Sequence, residues 1–140
     1  MTLVKTFLHT CKKYSQKTAV TDHSGAFTYE DLHQESIRCA SRLLSGVTGR
    51  NIGILLPNGK EFVVAFYGTL MAGRTPVPLN YLLSPAQLLY VIRDAGIDTV
   101  FTNNLFSPML GNQIKNTLLT EEKQSGALCN EENIKQGDEE

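Results

Sequence analysis

The sequence predicts an α/β protein: a parallel-sheet core with crossover helices, preceded by an N-terminal helix and a small β-hairpin. Three observations carry this. Residues 51–56, 76–79 and 98–102 are short, almost wholly apolar runs that suit strands buried on both faces. Helix-length segments with recognisable starts and stops separate them. Strands joined by helices of this length are best laid parallel with right-handed crossovers.

Each element has its own signal. Leu3, Val4, Phe7, Leu8 and Cys11 recur at helical spacing, so residues 2–14 read as an amphipathic helix with its lysines on the wet side. Residues 19–21 and 26–28 flank Asp22-His23-Ser24-Gly25, a turn-forming cluster, and read as the hairpin. His23 at its tip is a solvated turn residue, because no His, Cys or carboxylate cluster accompanies it. Thr28-x-x-Asp31 is a relative of the capping box and starts a helix whose buried stripe runs through Leu32, Ser36, Cys39, Ala40, Leu43 and Leu44 to Gly46. After the strand at 51–56, Asn58 is the expected N-cap and Glu61 its capping-box partner, with Gly73 as the stop. The prolines of the strand at 76–79 cannot donate to a ladder, so those positions must lie free of ladder hydrogen bonds. Ser84-Pro85-Ala86-Gln87 combines an N-cap, a proline at the first helical position and the Gln of a capping box. Gly96 is the matching stop, and the strand at 98–102 follows.

Beyond Asn103 the pattern fades. Residues 106–119 are expected as a further helix, and residues 120–140 as an acidic, polar and disordered tail, since only Ala127, Leu128, Cys129 and Ile134 are apolar there. The charge supports the division. Residues 1–110 hold ten Lys/Arg against seven Asp/Glu, and residues 111–140 hold three against seven. A net charge of −1 suggests neither nucleic acid nor an anionic membrane as partner. The three cysteines have neither disulfide-framework nor zinc-ligand spacing, which predicts reduced thiols, a cytoplasmic protein and no metal site. Cys11 and Cys39 fall on apolar helix faces as small core residues. The longest apolar stretch, 62–72, is short of the about 20 residues that span a bilayer.

The runs Phe27-Thr28-Tyr29-Glu30-Asp31-Leu32, Asn51-Ile52-Gly53-Ile54-Leu55-Leu56-Pro57-Asn58, Glu61-Phe62-Val63-Val64-Ala65-Phe66, Ala72-Gly73, Pro76-Val77-Pro78-Leu79-Asn80 and Asp98-Thr99-Val100-Phe101-Thr102 are weak singly. In this order and spacing, over about residues 2 to 105, they resemble the N-terminal part of the acyl-adenylate-forming enzymes, the AMP-forming acyl- and aryl-CoA synthetases and their relatives. The resemblance implies that residues 1–105 are part of a synthetase/ligase domain, a partial domain of an adenylate-forming enzyme. It also implies ATP, Mg²⁺ and CoA as cofactors of the complete enzyme. That enzyme activates a carboxylate as an acyl-adenylate and passes it to a thiol, and fatty acid metabolism is one setting for it.

The family's chemistry depends on a Ser/Thr/Gly-rich phosphate loop ending in Lys-Gly, an aromatic-x-x-Thr-Glu segment, an Asp on the ribose and a lysine on a mobile C-terminal domain. None of these occurs in the sequence. Lys60, Lys115, Lys123 and Lys135 follow no glycine-rich loop, and Arg74 reads as a helix C-terminal charge. No catalytic residue, metal ligand or cofactor is therefore expected for this chain. In some family members the residues after the Pro-Leu-Asn segment lie near the CoA nucleotide, which makes Asn80 the one weak candidate for contact with CoA or substrate. The plainer role for Asn80 is to cap the end of a strand.

Three functions follow. The favoured one is an N-terminal fragment of the ligase, truncated and inactive alone. The others are a split-enzyme subunit that meets the missing downstream part in trans, and a non-catalytic interaction module. A chain that stops inside the expected sheet also leaves apolar surface uncovered unless residues 105–119 fold back or another chain covers it, which predicts self-association or poor solubility.

Overall fold

A computed structural model describes residues 2–121. Helix α1 (Leu3–Lys13) starts at Thr2, whose hydroxyl accepts the Lys5 N–H at 3.2 Å. Strands β1 (Thr18–Asp22) and β2 (Gly25–Thr28) form an antiparallel hairpin with an irregularity between Thr18 and Val20. Helix α2 (Tyr29–Leu44) opens with the Thr28/Asp31 capping box. Then follow β3 (Asn51–Leu55), α3 (Lys60–Met71), β4 (Thr75–Pro78), α4 (Pro85–Asp94) and β5 (Thr99–Thr102). Helix α4 carries the expected Ser84/Gln87 box with Pro85 in its first turn, and Gly73 and Gly96 take positive φ just past α3 and α4. A turn of 3₁₀ helix (Ser107–Met109) leads to β6 (Asn116–Leu119).

The strands from β3 onward form one parallel sheet in the order β4-β3-β5-β6. Its two faces are covered differently. Ile52, Ile54, Leu56 and Phe101 pack toward Leu43 of α2 and Ala65 of α3, whereas Leu55 and Val100 pack toward Leu88 and Ile92 of α4 and Leu110. This alternation is the period of two that a strand buried on both faces requires. Helix α1 forms an outer layer on α2 and α3 through Val4, Phe7 and Cys11, and the Phe7 ring stacks on Tyr67 with centroids 3.9 Å apart.

The prolines of β4 lie as the sequence requires. Thr75 and Leu79 donate their N–H groups to Arg50 and Ile54 at 2.9 Å, so the odd positions face β3, and Pro76 and Pro78 turn their nitrogens to the open edge.

Two expectations are corrected. Asn58 does not cap α3: the N-cap position is Gly59, without a side-chain capping bond, and Asp22 of the hairpin fills the role by accepting the Lys60 N–H at 2.9 Å. Residues 106–119 are not a helix. Gly111 at φ +56 ends the 3₁₀ turn, and Asn116–Leu119 pairs with β5 as a fourth parallel strand. The tail expected at 120–140 lies outside the described residues apart from Thr120 and Glu121.

Candidate functional site at the carboxyl ends of the strands

In an open parallel sheet, ligands bind beyond the carboxyl ends of the strands, at the point where successive connections leave to opposite faces. Here that point lies between β3, whose chain departs to α3 on one face, and β5, whose chain departs to the 3₁₀ turn on the other. The polar groups around this crevice are engaged with one another. Thr102 donates its hydroxyl to the Leu55 carbonyl at 2.9 Å, a buried bond that ties β5 to β3. Asn103 accepts the Phe106 N–H at 2.9 Å and so turns the chain after β5.

The end of β6 is held from three sides. Thr120 donates its N–H to the Thr102 carbonyl and its hydroxyl to Glu61, both at 2.9 Å. Arg42 reaches from α2 to the Leu119 carbonyl at 2.8 Å, with its guanidinium 5.8 Å from the Phe101 ring centroid. Glu121 accepts the Asn104 N–H at 3.0 Å.

Asn80 lies at the same end of the sheet and is exposed. Its side-chain oxygen accepts the Leu82 N–H at 2.9 Å and its carbonyl accepts the Leu83 N–H at 3.3 Å, an Asx turn that redirects the chain from β4 into α4. The next residue, Tyr81, stacks on Phe106 at 4.9 Å and fastens the loops after β4 and β5 together.

Two of the cations singled out in the sequence, Lys60 and Arg74, are similarly occupied. Lys60 pairs with Glu35 at 2.9 Å and sits 4.4 Å from the Phe27 ring centroid. Arg74 donates to the Val47 and Gly49 carbonyls at 2.7 and 2.6 Å, at the amino end of the sheet, away from the crevice. Neither fits a phosphate clamp, because each would have to give up its present partners. Lys115 is exposed, and His23 is exposed at the hairpin tip. No group of three His, Cys, Asp or Glu able to hold a metal occurs among the described residues.

Burial sets the character of the remaining titratable groups. It pushes the Cys11 thiol up to about 11 and the Cys39 thiol up to about 12, so both are core thiols rather than nucleophiles. It raises the Tyr67 phenol as well. Asp22 moves the other way, down to about 2, because the Ser24 hydroxyl and the backbone N–H groups of Lys60 and Ser24 bind its charged form. Sequence reasoning had no means of finding Asp22, Arg42 or Glu61 in these roles, since their partners lie far along the chain.

The architecture is that of the N-terminal part of adenylate-forming enzymes. The family model for the AMP-binding enzymes matches residues 7–139, and the chain belongs to that family. The long-chain-fatty-acid–CoA ligase of Bacillus subtilis is 28% identical over 109 residues, which is 76% of this chain and 20% of the relative. The benzoate–CoA ligase of Thauera aromatica is 28% identical over 102 residues, or 68% of this chain and 19% of the relative. A crystal structure of a benzoate CoA ligase from Burkholderia xenovorans aligns with a TM-score of 0.78 and 26% identity, covering 96% of this chain and 28% of that one. The chain thus spans about a fifth of the length of the curated ligases it matches. No helix among the described residues is long and apolar enough to cross a membrane.

Proposed function

We propose that this chain is the N-terminal scaffold of an AMP-forming acyl- or aryl-CoA ligase and that, by itself, it does not activate a carboxylate. The carrying observation is one of coverage: the match takes in most of this chain but about a fifth of its relatives. The chemistry explains why the remainder matters. A nucleoside triphosphate carries several negative charges, whose removal from water has to be offset by aligned N–H donors, a cation and a coordinated metal. The sequence offers no glycine-rich loop to align such donors, and Lys60 and Arg74 are spent on the fold. In the complete enzyme ATP, Mg²⁺ and CoA act on residues outside this chain. The chain supplies the sheet and its two helical layers, and Asn80 shapes a turn at the carboxyl edge.

The acid is not fixed by kinship, because the relatives include ligases for long-chain fatty acids and for benzoate. The test is calorimetry with Mg-ATP, followed by carboxylate-dependent pyrophosphate release. Activity that appears only when a second polypeptide carrying the phosphate loop is added supports the split-subunit form of the proposal.

A further inference from the structure

The net charge of −1 conceals a segregation. Residues 1–21 contain Lys5, Lys12, Lys13 and Lys17 and no acidic residue, while residues 22–140 hold nine Lys/Arg against fourteen Asp/Glu. The fold gathers these cations along one helix. Helix α1 turns Val4, Phe7 and Cys11 onto α2 and α3, so Lys5, His9, Lys12 and Lys13, at helical spacing, share its outer side and are exposed. Lys17 is exposed just past the helix, and the Lys13 and Lys17 ammonium groups lie 5.2 and 4.8 Å from the Tyr14 ring centroid. A ring face attracts a cation without cancelling its charge. Among the described residues no carboxylate pairs with Lys12, Lys13 or Lys17, and Glu30, the acid bonded to this region, is held by the Gln16 amide at 2.6 Å.

We propose that this face rests on an anionic lipid surface, with α1 lying in the plane of the interface. Three features select a bilayer over an acidic protein or a nucleic acid. All four cations are lysines and no arginine precedes Arg38, whereas sites that read individual phosphates or carboxylates favour the arginine fork. A compact ammonium needs only the diffuse field of a charged surface. The lysines also stand on the convex outer side of a helix about 16 Å long, a shape that meets a plane along its length. Finally, Leu3 and Tyr14, at its two ends, are 53% and 37% exposed: an aliphatic group for the acyl boundary and a ring of the kind that collects at headgroup level. Covering the face with apolar protein would instead take Lys12, Lys13 and Lys17 out of water with no carboxylate to offset them. The acidic excess of residues 22–140 is repelled by the same surface, which sets the orientation.

Cosedimentation of the 140-residue chain with phosphatidylcholine vesicles, with and without phosphatidylglycerol, tests the proposal. Binding is expected to the anionic vesicles and should weaken steeply with salt. A lysine near an anionic bilayer is worth about fivefold in partitioning, so the double variant Lys12→Gln, Lys13→Gln should lower it about 25-fold. Lys115→Gln, at an exposed lysine outside this face, should change nothing. Tyr14→Ala, which keeps every charge, should weaken binding to vesicles and leave binding to heparin unchanged. Circular dichroism verifies that each variant keeps the fold. The proposal is overturned by absence of binding to the anionic vesicles, by an equal loss from Lys115→Gln, or by a Tyr14→Ala variant that binds them unchanged. Tighter binding to heparin than to the vesicles identifies a soluble polyanion as the partner and overturns it as well. None of these readouts involves nucleotide, so the ligase assignment stands or falls separately.

Discussion

Asp22 caps helix α3 from a different element: its Oδ2 accepts the Lys60 N–H at 2.9 Å, while Oδ1 takes the Ser24 N–H at 2.8 Å and the Ser24 hydroxyl at 2.6 Å. One carboxylate thus fixes the hairpin turn and the start of the crossover helix. Gly59 lies at φ +154 beside it, and a Cβ at that position would come within 2.9 Å of the same oxygen. The glycine is required by both the backbone and the cap.

The shared cap makes stability depend on acid. The folded Asp22 titrates at about 2, below its ordinary value of 3.8. A group lowered in this way stabilises the fold fully above the ordinary value, and the contribution is lost as pH falls through the folded one. Asp22→Asn should lower the melting temperature at neutral pH and flatten its fall across that acid window. Thermal melts of both proteins against pH check this, and parallel curves would contradict it.

The seam between α2 and α3 depends on Gly68. A Cβ there would stand 2.5 Å from Cys39 Cβ and 2.7 Å from the Ser36 carbonyl oxygen. Gly68→Ala should therefore destabilise the chain by about 1–3 kcal/mol, the range for forcing extra volume into a packed seam. A urea midpoint equal to that of the wild type would refute the close approach.

Phe101 is fully buried in the sheet face beneath α2 and α3. Phe101→Ala should cost about 3–5 kcal/mol, a large share of the roughly 5–15 kcal/mol of a typical domain. Urea unfolding followed by circular dichroism measures it.

Cys11 and Cys39 should resist alkylation. Their thiols are raised to about 11 and about 12, so at mildly alkaline pH almost no thiolate is present in the folded chain. Mass mapping after brief iodoacetamide treatment should find both unmodified until denaturant is added.

The sequence was legible where structure is local. The boxes Thr28/Asp31 and Ser84/Gln87 formed as read, because each places both partners within one helical turn. The start of α3 was misread because its cap is tertiary: Asn58 has a capping side chain but lies one residue ahead of the N-cap Gly59, and Asp22 of the hairpin accepts the Lys60 N–H instead. Strand β6 was missed for another reason. Four residues, Asn-Thr-Leu-Leu, carry no periodicity that separates strand from helix, and the pairing with β5 and the bond from Arg42 decide the matter. At the candidate site, Asn80 could be read as a turn residue from its place after a strand, whereas the bond from Thr120 to Glu61 joins residues 59 apart and leaves no trace in the sequence.

The central claim is that this chain is the scaffold portion of an AMP-forming ligase and holds no working nucleotide site of its own. Titration calorimetry of the purified chain with Mg-ATP, with pyrophosphate release then assayed against a panel of carboxylic acids, addresses it most directly. The account predicts no micromolar binding and no carboxylate-dependent pyrophosphate. Micromolar binding of Mg-ATP, or pyrophosphate released by the chain alone, would contradict it.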